Sequence, residues 1–181
     1  MNSRNYGCRI TTDITIKGNR AVVMENQMLR LTILTERGTD IIELLYKPLD
    51  IDLMWRSPVR LHHKSDYIST TGNSLGNYLD HNSGGWQEIL PNGGNECFYK
   101  GACLGMHGEI SNIPWEFQVI RDEEDEIAVV FSVSTLRSPF RLEKRITLKA
   151  FESVIYLSEK LTNLAKEPME LMWGHHPTVG K

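Results

Sequence analysis

The chain is 181 residues long, enough to bury a real apolar core, and is read as a single domain over residues 1–181. Its net charge of −3 and its scattered Lys and Arg leave no basic stripe, which excludes nucleic acid as an expected partner. No apolar run approaches the roughly 20 residues that cross a bilayer, and Met1 to Arg9 lacks the apolar stretch of a signal peptide, so a cytoplasmic protein with no membrane partner is expected. In chain order, period-two patterns rich in β-branched residues predict strands over Arg20 to Glu25, Leu29 to Thr35 and Thr39 to Tyr46. Further strands follow over Ile127 to Leu136, Phe140 to Ala150 and Val154 to Thr162. Lys17-Gly18-Asn19, Glu36-Arg37-Gly38 and Arg137-Ser138-Pro139 carry turn chemistry between such runs, and the acidic run Asp122 to Glu126 marks a solvated hairpin tip. The fold class is therefore all-β and mostly antiparallel, with one short helical turn expected near Gln87 to Leu90.

Two irregular spans interrupt the strands, at Lys47 to Pro58 and Arg60 to Trp115. The second holds Gly84-Gly85-Trp86-Gln87-Glu88, Pro91-Asn92-Gly93-Gly94-Asn95-Glu96, Gly105-Met106-His107-Gly108-Glu109 and Pro114-Trp115. A long loop of this composition inside a compact domain builds a site rather than a core. Cys8, Cys97 and Cys103 are odd in number with no spacing of a disulfide framework or zinc ribbon, so they read as small side chains in a reducing compartment.

Six histidines supply the titratable candidates. His62-His63 and His175-His176 are adjacent pairs whose members point to opposite faces if they lie on strands. His176 precedes Pro177, which biases it to extended backbone at a strand end. His107 sits between Gly105 and Gly108, where the backbone can approach a ligand closely. Glu88, Glu96 and Glu109 lie in the same irregular region, and a carboxylate with an imidazole is the minimum set for proton transfer near neutral pH. Trp86, Trp115 and Trp173 offer flat faces for stacking a sugar ring, while Gln87, Asn92 and Asn95 can hydrogen-bond hydroxyls. There is no phosphate-binding glycine loop and no nucleophile elbow. A metal site built from His107, His175 or His176 with Glu88 or Glu109 ranks last, since no fixed ligand spacing is present and paired histidines on a strand diverge.

These segments together resemble the aldose 1-epimerase (galactose mutarotase-like) superfamily. The likeness runs through the Leu29-Arg30-Leu31-Thr32-Ile33-Leu34 and Ile41-Ile42-Glu43-Leu44 hairpin, Gly84 to Glu88 with Pro91 to Gly94, Met106 to Glu109 with Pro114-Trp115, and Trp173-Gly174-His175-His176-Pro177. The resemblance implies an antiparallel β-sandwich of the supersandwich type, here its N-terminal portion and incomplete at the C-terminus. It implies a small-molecule sugar as partner, with a missing C-terminal half or a second subunit covering the sheet edges. The implied function is a carbohydrate isomerase that interconverts α and β anomers by acid/base ring opening, with no metal and no organic cofactor. Carried over by position, His107 binds and polarises the sugar near its ring oxygen and His176 is the general acid. Trp86, Glu88, Asn92, Glu109 and His175 are the expected substrate contacts. The family's glutamate base would lie beyond Lys181. A sandwich that binds sugar without chemistry is the alternative.

Overall fold

The computed structural model describes residues 4–58, 61–66 and 71–180. Residues 1–3, 59–60, 67–70 and 181 lie outside the described residues, so the amino-terminal segment and the second irregular span are described in part and the first span, Lys47 to Pro58, throughout.

Two antiparallel sheets face each other. The first runs β1 (Arg9–Ile16), β2 (Asn19–Glu25), β3 (Leu29–Leu34), β4 (Asp40–Tyr46), β6 (Trp86–Ile89) and β13 (Gly174–Pro177), with the short β5 (Ile51–Asp52) also on β4. The second runs β12 (Tyr156–Asn163), β11 (Phe140–Lys149), β10 (Glu126–Ser134) and β9 (Glu116–Asp122). A small hairpin, β7 (Cys97–Tyr99) with β8 (Ala102–Leu104), stands apart from both. The six strands expected from alternation all form, with bounds moved by one or two residues. The Lys17-Gly18 turn closes β1 on β2 with both residues at positive φ, 50° and 82°, the geometry a two-residue hairpin demands.

The expected helical turn near Gln87 is a correction: Trp86–Ile89 is strand β6, paired with β13. Its side chains are wanted on both faces, so the alternation that marks a half-buried strand is hidden. The helix of the irregular span lies earlier, as α1 (Ser74–His81), started by the Asn73 side chain accepting from the Gly76 amide. Among the described residues no helix is long and apolar enough to cross a membrane.

The core fills the gap between sheets. Val22, Met24, Leu31 and Ile33 from one side meet Ile127, Val129, Phe131, Leu142, Ile146 and Leu148 from the other. Each such side chain contributes about 1.5–3 kcal/mol on burial. Fully buried Asn26 ties the layers: its amide donates to the Lys149 and Glu152 carbonyls, and its oxygen accepts from the Met28 and Leu29 amides. Toward β6 and β13 the space between sheets changes character, because Lys144 of β11 and Glu159 of β12 point into it.

Candidate functional site

The register of β6 on β13 pairs Gln87 with His176 and Glu88 with His175. Directly opposed residues share a face and neighbours alternate, so the two adjacent histidines are separated by the sheet itself. His176 and Gln87 face one way, toward α1 and the 105–108 turn. His175, Glu88 and Trp86 face the other way, toward β11 and β12.

On the first face His107 and His176 come together, with ring centroids 5.1 Å apart. Tyr78 of α1 completes the cluster, its ring 4.6 Å from His107 and 6.4 Å from His176 in edge-on packing. The Tyr78 hydroxyl donates to Gln87 Oε1 at 2.8 Å. Sequence reasoning missed Tyr78, because its part depends on a non-local contact that α1 alone does not reveal.

The local backbone is built to present His107. Its φ of 60° lies in the left-handed region, sparsely populated by residues with side chains, and such strain marks functional positions. Gly108 follows at φ 80°, where a Cβ would meet the Leu90 carbonyl oxygen at 2.1 Å, so only glycine lets the turn close against the Leu90-Pro91 strand end. The His107 amide donates to the Gly94 carbonyl at 3.0 Å, and Nδ1 lies 3.2 Å from the Gly93 carbonyl. A carbonyl only accepts, so Nδ1 carries the proton and Nε2 keeps its lone pair. Burial pushes the His107 pKa down, the nearby charge of His176 pushes it further, and the Gly93 carbonyl partly offsets both.

Asn92 stands behind this turn. Its amide donates to the carbonyls of Asn95 at 2.6 Å and Gly105 at 3.0 Å, stapling the 92–95 loop to the 105–108 turn. The expected sugar contact at Asn92 is thus taken up by backbone. Glu109 is placed similarly: its carboxylate accepts from the Leu136 and Arg137 amides and the Ser138 hydroxyl, holding the β10–β11 turn. Both side chains, expected at the substrate, are thus held by groups of the protein itself.

The opposite face is a charge network. The Lys144 ammonium lies 2.9 Å from Glu88 Oε2, donates to Thr39 Oγ1 and sits 4.9 Å over the Trp115 ring. Trp173 Nε1 donates to Glu88 Oε1 at 2.7 Å. Trp86 Nε1 donates to His175 Nδ1 at 3.1 Å, and His175 Nε2 meets Glu159 Oε2 at 3.1 Å. Trp86, Glu88 and His175, expected at the sugar, therefore lie on the sheet face turned away from the His107–His176 pair. The Glu159 hydrogen bond raises the His175 pKa against the opposing effect of burial. Burial would raise the Glu159 carboxyl, but the His175 bond and charge outweigh it and hold it low.

Glu88, Glu159 and His175 can bring one ligand atom each within 4.8 Å of one another, the geometry of a metal site. Their wiring runs against that use. The Trp86 indole N–H occupies the Nδ1 lone pair, so in the neutral ring Nε2 bears the proton and has no lone pair for a cation. Lys144 already supplies positive charge beside Glu88.

A family model described as "Domain of unknown function (DUF4432)" matches residues 16–181. The chain belongs to the DUF4432 family. Solved structures similar to this DUF4432 chain share its fold at low identity. A candidate aldose 1-epimerase from Klebsiella pneumoniae is 19% identical with TM-score 0.66, over 87% of this chain and 43% of that one. A galactose mutarotase-like protein from Clostridium acetobutylicum is 14% identical with TM-score 0.62, over 94% and 53%. One from Lactobacillus casei is 16% identical with TM-score 0.57, over 88% and 49%. The DUF4432 chain thus spans about half the length of these proteins and has the galactose mutarotase-like sandwich fold. No curated protein matches in sequence.

Near Gln87 lies Asp40, a fully buried carboxyl whose pKa is pushed up to about 7 by burial, eased by the Arg37 charge; neither of its oxygens has a hydrogen-bond partner among the described residues. Gly85, at φ 82°, leaves room for it: a Cβ there would stand 2.3 Å from Asp40 Oδ1. Arg37 in turn donates to the His81 carbonyl at the end of α1. The Tyr78–Gln87 hydrogen bond ties the floor of the site from helix to strand.

Proposed function

We propose that the His107–His176 face binds a pyranose and interconverts its α and β anomers, with His176 as the general acid that protonates the ring oxygen. The supporting observation is the 5.1 Å approach of two imidazoles, one from the 105–108 turn and one from β13, far apart along the chain. Ring opening needs a proton given to the ring oxygen and one taken from the anomeric hydroxyl, two atoms bonded to one carbon. Two titratable groups must therefore sit side by side, as these do. The neighbouring structures with mutarotase and epimerase names supply the fold-level analogy.

The proposal includes a role in cytoplasmic carbohydrate metabolism, in keeping with three unpaired cysteines, Cys8, Cys97 and Cys103. It also includes a covering element, either the remainder of a sandwich or a second subunit, for the outer edges of β12 and β13, which end their sheets.

The test is anomer exchange. Fresh α-glucose and α-galactose, followed by polarimetry or NMR, equilibrate faster with the full-length protein at catalytic concentration, and His176→Ala removes the effect by about 100-fold or more. Absence of acceleration by the wild-type protein, with sugar binding intact, would replace the isomerase by the non-catalytic sugar-binding sandwich.

A further inference from the structure

The elements that carry the two imidazoles meet at a third side chain, Tyr78 of α1, which is only 4% exposed. Its ring packs edge-on against both imidazoles, 4.6 Å from His107 and 6.4 Å from His176. Its hydroxyl reaches Gln87 of β6, the residue directly opposite His176 in the β6–β13 register. One residue thus spans the 105–108 turn, β6 and β13.

The helix that bears it is braced at both ends. At its start a Cβ on Gly105 would stand 3.4 Å from the Ser74 Cβ, so helix and turn already pack at contact distance. At its end the His81 carbonyl accepts from Arg37. The 2.8 Å bond from the Tyr78 hydroxyl to Gln87 Oε1 supplies a third fixed point. Burial, reinforced by the Asp40 charge, pushes the phenol up to about 12, so it stays protonated at neutral pH and its one proton is engaged by Gln87. What Tyr78 presents to the imidazoles is therefore its ring.

A rigid apolar ring beside two imidazoles fixes where they stand and keeps water off one side of them. Tyr78 also borders a cavity of about 220 Å³ whose walls include Ser74, Gly105, Met106 and Leu136. That is room for roughly seven waters at about 30 Å³ each. Shortening the Tyr78 side chain would open a way for water from this space to the pair.

We infer that Tyr78 is a positioning residue of the site: its ring, braced by α1 and the Gln87 bond, sets the spacing of His107 and His176 and shields them from water, while its hydroxyl takes no part in proton transfer. The kinetic consequence rests on the anomer-exchange reading; the effect on the two rings does not. The groups facing His107 are His176 from β13, Tyr78 from α1 and the Gly93 carbonyl from the loop. Those facing His176 are His107, Tyr78 and, across the strand pair, Gln87. Burial is the largest influence lowering the His107 pKa, ahead of the His176 charge, which agrees with a shielding ring.

The experiment compares wild type, Tyr78→Phe and Tyr78→Leu in the full-length protein. Imidazole C2–H resonances are first titrated by NMR without sugar. In Tyr78→Leu the His107 midpoint rises toward the ordinary histidine value by about half a pH unit or more, because water then reaches the charged ring. In Tyr78→Phe, which keeps the ring, both midpoints stay within about 0.2 pH units of wild type. His175 on the other face is the control for an intact fold, and Tyr78→Met replaces the leucine variant in the same comparison if that control moves. In anomer exchange Tyr78→Leu loses about tenfold or more in kcat with KM little changed, since misplaced groups slow the reaction step, and Tyr78→Phe stays within about threefold. An unmoved His107 midpoint in the folded leucine or methionine variant overturns the shielding role. A loss in Tyr78→Phe as large as in Tyr78→Leu makes the hydroxyl the acting group and overturns the assignment. A wild-type protein without exchange activity removes the anomer reading, and the sugar-free titration then still decides for or against the ring.

Discussion

His175 and His176 are neighbours in sequence and strangers in space, and the contrast between the two faces of β6 and β13 explains most of this molecule's chemistry. One face pairs His176 with Gln87 and looks out at His107 and Tyr78. The other pairs His175 with Glu88 and looks toward Lys144 and Glu159 of the facing sheet, with Glu88 and Lys144 buried and His175 exposed at the edge. Both carry ionisable groups, but those on the β11–β12 side are matched as opposite charges, whereas the two imidazoles of the other side face each other without a counter-charge among the described residues. A sheet can thus hold a charge network on one face and a pair of facing imidazoles on the other within one residue's reach. The lesson is that residue type does not identify a site; unspent lone pairs do.

Breaking the inward face has the largest expected effect. Lys144→Met strands the Glu88 carboxylate, which is 1% exposed, away from its counter-charge. Loss of one partner of a buried pair costs about 3–5 kcal/mol, measurable by urea unfolding. The double change Lys144→Met with Glu88→Leu recovers most of it, since no charge is then left unpaired. If the single variant lost nothing, the inward network would not be a matched one.

Next in size is the floor between the faces. Asp40 titrates at about 7 folded and near the ordinary carboxylate value of about 3.8 unfolded. The folded state therefore binds its proton more tightly. The contribution is fully present below about pH 4 and is lost as pH rises to about 7, at up to about 1.4 kcal/mol per pH unit. Unfolding free energies over that window should slope down for wild type relative to Asp40→Asn. Parallel profiles for the two proteins would show that Asp40 is ionised in the fold.

Smaller still is the staple behind the outward face. Asn92→Ala frees the 92–95 loop from the Gly105 carbonyl, at a cost of about 1–2 kcal/mol. It should also shift the His107 ring resonances while leaving those of His175 in place. Smallest is the effect of His175→Asn on anomer exchange: under about threefold in kcat, since that ring faces away from the pair. A loss matching that of His176→Ala would merge the two faces into one functional unit.

How far the sequence discloses this arrangement depends on the element. The strands of 20–46 and 126–163 alternate enough to be read, most regularly over Phe140–Ile146 and in β12, and Lys144 falls on the buried phase of β11, between Leu142 and Ile146. Its charge there is readable as an inward ion awaiting a partner. The partner is not readable, because β6 and β13 carry functional side chains on both faces and show no period of two. The His-Gly and His-Pro segments disclose the two imidazoles through family resemblance. That Trp86, Glu88 and His175 lie on the other face from His107 and His176 is not readable without the β6–β13 register, which decides the face. Glu109 and Asn92 mislead differently: they are polar, buried and beside the site, yet their partners are backbone groups of turns.

The measurement that bears most directly on the two-face account is an NMR titration of the imidazole C2–H resonances, assigned by single His→Asn variants, with a reducing hexose added in steps. The account predicts saturable shifts at His107 and His176 with His175 unmoved. Shifts at His175 with the other two silent would place the sugar on the inward face and contradict it.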